Sequence, residues 1–224
     1  MKTFMTTIAV LAVAGSATAA IESWSNQVSF ISDAEPVGSV SIPQFDTLGG
    51  TRSLNSVSIT YCFKGSADIA ADNDDPFKAG SANGRIIRTF TATGPGGAFG
   101  FGTKTIITAA VPLAADDGDG AGLFDSTGPD GVIFPTLAFP FEVAMVGGAA
   151  LGPYLGAGTV NFAVTPSVMV NDLQFSATDQ YQTQVSNPDM TVEIKVDYDY
   201  TVIPAPGALA LMGMGGLVAG RRRR

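Results

Sequence analysis

The 224-residue sequence predicts an all-β protein built as an antiparallel β-sandwich, with a jelly-roll-like arrangement or a barrel as the alternative forms. Three observations lead there. Apolar residues recur at every second position, not at every 3.6. The alternating runs are short and separated by clusters of Gly, Pro, Asp and Asn. No ten-residue stretch of the body carries a clear amphipathic helical pattern. A signal peptide and a short C-terminal transmembrane helix are expected to flank the sandwich.

Taken in chain order, the first element is an address. Met1-Lys2 precedes a mostly apolar run from Phe4 to Ala14, then Gly15-Ser16-Ala17-Thr18-Ala19-Ala20. A positive start, a short apolar core and a small-x-small site are the parts of a secretory signal peptide, here residues 1–19. Ala17 and Ala19 fill the two small positions, and cleavage is expected before Ala20. The apolar run is too short to cross about 30 Å of hydrocarbon as a permanent helix.

The body, residues 20–203, is of single-domain length and can bury roughly 70% of its unfolded surface without disulfides or metals. Strands are expected at 24–31, 37–42, 56–63, 85–92, 103–111, 137–146, 159–164, 168–175 and 191–202. Val57, Ile59, Tyr61 and Phe63 share one face of the third, opposite Ser56, Ser58, Thr60 and Cys62. The last is the cleanest. Val192, Ile194, Val196, Tyr198, Tyr200 and Val202 alternate with Thr191, Glu193, Lys195, Asp197, Asp199 and Thr201. Turns are expected at Gly49-Gly50, at 72–76, 94–97, 116–122 and 128–131, and at Asn187-Pro188-Asp189. The Gly-rich 96–102 segment reads as a hairpin or loop with Phe99 and Phe101 tucked beneath it.

Composition narrows the function. Charged residues make up 14% of the chain, against about 25% in an average domain. The net charge is −8, and five of the twelve basic residues lie at the two ends, Lys2 and Arg221–Arg224. An acidic body of this kind disfavours nucleic acid as a partner. The absence of His removes the commonest general base and the Ser-His-Asp triad. A single Cys forbids an internal disulfide, and no Walker loop, HExxH or CxxC is present.

The candidate ligand set is Asp116-Asp117-Gly118-Asp119-Gly120, whose alternate carboxylates Asp117 and Asp119 could hold calcium, with Asp125 and Asp130 nearby. The loop lacks the ligand count of an EF-hand, so the expectation is no cofactor and a solvated acidic loop, with calcium as the lesser alternative. Asp72, Asp74 and Asp75, close to Lys78, read the same way. Cys62 lies in a strand without a base and reads as a small hydrophobe. Trp24, Tyr61, Tyr154, Tyr181, Tyr198 and Tyr200 read mostly as core. Asp197 and Asp199 share a strand face at roughly glycosidase spacing, but with Glu193 and Lys195 beside them they read as a solvated charged edge.

The C-terminal element spans residues 204–224. Pro204-Ala205-Pro206 is followed by an uncharged Gly/Leu/Ala/Met-rich stretch and then by Arg221, Arg222, Arg223 and Arg224. With snorkelling arginines the span is of marginal bilayer length. Four arginines hold that end in the cytoplasm and the body outside, in agreement with the N-terminal signal. Motif, span and Arg cluster resemble the PEP-CTERM sorting signal, with Ala205 where that family has Glu. The resemblance implies processing by an exosortase-type enzyme in a Gram-negative bacterium that makes exopolysaccharide. The body resembles the choice-of-anchor E domain in Ile42-Pro43-Gln44-Phe45-Asp46-Thr47-Leu48-Gly49, Leu54-Asn55-Ser56-Val57-Ser58-Ile59, Tyr154-Leu155-Gly156-Ala157-Gly158-Thr159-Val160 and the Tyr-rich last strand. That family brings no site residues. The expected function is an exported, noncatalytic surface or matrix protein. Its partners are the secretion machinery, an exosortase, the inner membrane in transit and extracellular polysaccharide. A carbohydrate-binding module and a secreted hydrolase are the alternatives.

Overall fold

The computed structural model describes residues 17–118, 123–176 and 180–203. They form two antiparallel five-stranded sheets. The strands are β1 (Thr18–Phe30), β2 (Gly38–Pro43), β3 (Arg52–Asp72), β4 (Gly80–Thr93), β5 (Phe99–Ile107), β6 (Val111–Leu113), β7 (Gly131–Ile133), β8 (Leu137–Gly148), β9 (Thr159–Ser176) and β10 (Gln182–Val202). One sheet runs β1-β10-β3, with β8 and β7 side by side along the far edge of β3. The other runs β2-β9-β4, with β5 and β6 along the far edge of β4. No ladder joins the two sheets among the described residues, so the barrel alternative is not realised. One hydrophobic cluster lies between them. Ile59, Tyr61, Phe63, Ile194 and Val196 come from one side, and Ile42, Ile86, Phe90, Phe162 and Val164 from the other.

The alternation in the sequence sets the central register. Val57, Ile59, Tyr61 and Phe63 pair with Tyr198, Val196, Ile194 and Val192, so every inward residue meets an inward partner. On the outer face Ser58 pairs with Asp197 and Thr60 with Lys195. A one-residue slip would send all of these apolar side chains to solvent. Because β10 is flanked by β1 and β3, Asp197 and Asp199 lie on the outer face of an interior strand, not on a sheet edge.

Three expectations about strands are corrected by bulges or by packing. Residues 159–164 and 168–175 are one strand, β9. Val160, Phe162 and Val164 face the core at even positions and Met169 at an odd one, and the irregularity beside Pro166 absorbs the change of phase. Asn187-Pro188 is likewise no turn between strands. It is an irregularity within β10, where Asn187 takes φ +51°, a conformation Asn tolerates better than most residues. The third correction concerns 96–102. Phe99 and Phe101 are exposed at 49% and 44%, while Gly100 and Gly102 face inward. A Cβ on Gly102 would lie 2.5 Å from the Phe90 ring, and one on Gly100 would overlap Tyr61, so those rings leave room only for glycine.

Arg88 spans the two layers. Wholly buried on β4, its guanidinium donates to Ser66 O (2.6 Å) and Asp189 O (2.9 Å) of the opposite sheet. It also donates to Val170 O, Ile87 O and Asn171 Oδ1 within its own sheet.

Of the predicted signal-cleavage residues, Ala17 precedes β1, and Ala19 and Ala20 lie within it, Ala19 opposite Thr201 and Ala20 opposite Tyr200. The first sixteen residues and the whole of 204–224 lie outside the described residues, and with them Pro204, Ala205, Pro206 and Arg221–Arg224. Among the described residues no helix is long and apolar enough to cross a membrane.

Candidate metal centre

Three polar segments meet at the end of the sandwich where β3 stops and β4 begins: 72–78, 114–118 and 125–131. Polar residues cannot continue the apolar alternation there, and short-range hydrogen bonds hold the backbone instead. Asp75 Oδ1 accepts from the N–H groups of Phe77 (3.0 Å) and Lys78 (3.1 Å). Asn73 Nδ2 donates to the carbonyls of Lys78 (2.9 Å) and Ala114 (2.5 Å). Backbone bonds from Asn73 N to Asp130 O, from Ala114 N to Pro129 O and from Asp116 N to Asp75 O join the segments pairwise.

This framework gathers carboxylates. One oxygen each of Asp116, Asp117 and Asp130 lies within 4.8 Å of the others. Asp130 is 2% exposed, and its Oδ2 accepts from Asp117 N at 2.9 Å. Gly128 lies close against them. A Cβ built there would meet Asp130 Oδ1 at 2.6 Å, Asp117 Oδ2 at 3.3 Å and Asp125 Oδ2 at 3.7 Å, so three carboxylates converge on this backbone and leave little room for a side chain. Asp125 is oriented by Thr127, whose hydroxyl and N–H both donate to Oδ1; these bonds hold its carboxyl below the usual range.

Asp72 lies beside this group at the end of β3, opposite Gly131, and is 1% exposed. Its Oδ2 accepts from Asp125 N at 2.8 Å, and its Oδ1 is buried without a hydrogen-bond partner. Burial pushes this carboxyl above its ordinary value. The charges of Asp74, Asp130 and Asp125 push it further the same way, against the pull of the Asp125 N–H. A buried carboxylate oxygen with no donor among other carboxylates is a costly arrangement unless something positive completes it. The donor set is all oxygen, which suits a hard cation such as calcium rather than a metal that seeks imidazole or thiolate.

The sequence expectation for this region is therefore revised. Asp117 is joined by Asp116 and by Asp130 from the next loop, whereas its expected partner Asp119 lies outside the described residues. Asp72, Asp74 and Asp75 are buried, not solvated, because the 114–118 and 125–131 segments fold over them. From the sequence Asp130 is only a nearby carboxylate in a Gly-Pro-Asp-Gly turn, not a member of the candidate pair. No spacing rule links it to Asp117, since the β6–β7 connection alone brings them together.

The remaining candidates are placed as follows. Tyr61, Tyr154, Tyr198 and Tyr200 are core residues, Trp24 packs against the core, and Tyr181 is exposed and stacked on Phe175. Cys62 is half-buried, its thiol pushed up by burial and by Glu193, with Lys195 acting the other way. Asp197 accepts from Ser23 Oγ and pairs with Lys195 at 3.1 Å.

No protein-family model matches the chain, and no curated protein matches it. Among solved structures, one of the infectious bursal disease virus Gt strain shows 10% identity, covering 87% of this chain and 42% of that one, at a TM-score of 0.13. One of the Gx strain shows 13% identity, covering 91% of this chain and 48% of that one, also at 0.13. The chain spans less than half the length of either. At that TM-score neither likeness bears on fold or function.

Proposed function

We propose that this chain is an exported, noncatalytic surface or matrix protein, delivered through a signal peptide at 1–19 and sorted by an exosortase-type enzyme through residues 204–224. The observation that carries the reading is the agreement of the two ends. The N-terminal signal sends the body out, and four arginines behind an uncharged span hold the far end in the cytoplasm. In this reading the sandwich is a jelly roll. The order β1-β10-β3-β8 against β2-β9-β4-β5 supports that, as two interleaved Greek keys divided between two sheets. Its partners are the secretion machinery, the inner membrane in transit and the exopolysaccharide around the cell. Protease added to intact spheroplasts tests the topology. Digestion of the body, with weaker retention of the C-terminal end when all four arginines are replaced by Gln, is expected. A body fully protected until the cells are lysed would refute export.

One observation favours a carbohydrate-binding role for the same domain. Phe99 and Phe101 project from one face of β5, and Phe141 of the neighbouring β8 is also exposed. Exposed aromatic rings are suited to stacking on sugars, which are amphipathic in the same way. A glycan array probed with the full chain, with and without calcium, tests this. Retained polysaccharide that is lost in Phe99→Ala/Phe101→Ala is the expected result, and no binding above background would remove the reading.

A further inference from the structure

We propose that the three-loop cluster at the end of the sandwich binds one hard divalent cation, calcium, with Asp116, Asp117 and Asp130 as its carboxylate ligands and Asp72 and Asp125 as the surrounding negative charge. One observation beyond the gathering of acids points to a ligand. Asp72 Oδ1 is buried without a donor, on a residue 1% exposed whose electrostatic neighbours are the carboxylates of Asp74, Asp130 and Asp125. Oxygens of Asp130, Asp117 and Asp125 converge beside the Gly128 backbone, which leaves little room for a side chain there. A small cation held by the Asp116, Asp117 and Asp130 oxygens would draw on both ends of the β6–β7 connection and neutralise charge that the fold otherwise holds in low dielectric.

The ligand chemistry selects the cation. Calcium takes six to eight oxygens in flexible geometry, and irregular loops that mix carboxylates with backbone carbonyls and water can supply them. Magnesium demands near-ideal octahedral geometry at shorter distances and keeps most of its waters. Because the ligands come from both ends of the β6–β7 connection, binding would tie those ends together beside the end of β3. Its effect is on stability and loop order. The inference does not rest on the export reading, since it concerns the folded chain in solution.

Calorimetry on the full-length chain, purified in a non-ionic detergent and stripped with EDTA, tests it directly. The expected result is a saturable isotherm of one calcium per chain, with a Kd on the order of 10⁻⁵ to 10⁻³ M. At a hundred times that Kd the melting temperature should rise by roughly 5–10 °C. Asp117→Asn, at an exposed position that leaves the core intact, should weaken binding at least tenfold. Asp117→Asn/Asp130→Asn should abolish it, and Asp199→Asn on the outer face of β10 should leave it unchanged. Asp72→Asn should raise the melting temperature of the stripped protein while shrinking the calcium-induced rise. Non-saturating heat, an isotherm unaffected by Asp117→Asn, or equal losses in Asp199→Asn would overturn the proposal. So would a stripped Asp72→Asn protein that melts below the wild type.

Discussion

Replacing Arg88 by Met should be among the most damaging single changes available in this chain. The guanidinium makes five hydrogen bonds, to Ser66 O, Asp189 O, Val170 O, Ile87 O and Asn171 Oδ1, at 2.6–3.1 Å. At about 1.5–3 kcal/mol for each bond from a charged donor the gross figure, about 7.5–15 kcal/mol, would equal the whole stability of a domain. The cost of stripping water from a buried guanidinium offsets most of that sum. Burial lowers the Arg88 pKa to about 10, with Asp189 acting against the shift, so it stays charged at neutral pH. Removing one side of a buried charged arrangement costs about 3–5 kcal/mol, because the partner groups are left unpaired. For a domain of this size that is a fall in Tm of roughly 6–20 °C. Arg85, three residues away on the same strand, is the internal control. It pairs with Asp172 on the solvent side, where side-chain exposures are 28% and 35%, and such pairs contribute about 0–1 kcal/mol. Urea denaturation of Arg88→Met, Arg88→Lys and Arg85→Met side by side measures the difference. Arg88→Lys should recover only part of the loss, because an ammonium cannot reproduce the fork. If Arg88→Met costs no more than Arg85→Met, Arg88 is not the clamp between the sheets.

Three further outcomes are expected. Tyr61 Oη is buried without a partner while Tyr198 Oη donates to Pro43 O at 2.7 Å, so Tyr61→Phe should be neutral or stabilising and Tyr198→Phe should cost about 1 kcal/mol in chemical denaturation. Gly102→Ala should destabilise by about 1–3 kcal/mol, read by calorimetric melting, because its Cβ would lie 2.5 Å from Phe90 and 2.7 Å from Ala144. Stability should be lost as pH climbs above 10, followed by circular dichroism. Burial raises Tyr61 and Tyr154 to about 12 and Tyr198 further in the same direction, so the folded state keeps protons that the unfolded chain releases. The lowered Arg88 acts oppositely, but as one group against three. A flat profile to pH 12 would contradict the burial of these phenols.

What the sequence made legible was whatever depends on local alternation. β10 and the middle of β3 could be read residue by residue, because inward and outward positions differ in chemistry at every step. Legibility failed where the chain changes phase. Leu54 and Val57 both face the core although they are three residues apart, which is possible only because the β3–β10 register shifts beside Asn55. The same device hid the continuity of β9 and the ladder beyond Asn187-Pro188. Phe99 and Phe101 face outward because the rings of Phe90, on the adjacent β4, and Tyr61, on β3 of the other sheet, fill the space inside Gly102 and Gly100, which nothing within the 96–102 segment reveals. The acidic centre was half visible. The alternate carboxylates Asp117 and Asp119 announce themselves as a candidate pair, but the burial of Asp72 and Asp130 follows from which loops cover the end of β3. Arg88 is in phase with the inward Ile86, Phe90 and Ala92, so the alternation places it inside, but only the opposite sheet's carbonyls explain how a guanidinium can lie there.

The central claim is that both ends of the chain are addresses for export and sorting. Intact-mass spectrometry of the protein recovered from an exporting host tests it most directly. The account predicts an N-terminus at Ala20 and a chain that ends near Pro204–Pro206, without the apolar stretch and without Arg221–Arg224. A mature protein of full mass that still carries Met1 and the four arginines would contradict it.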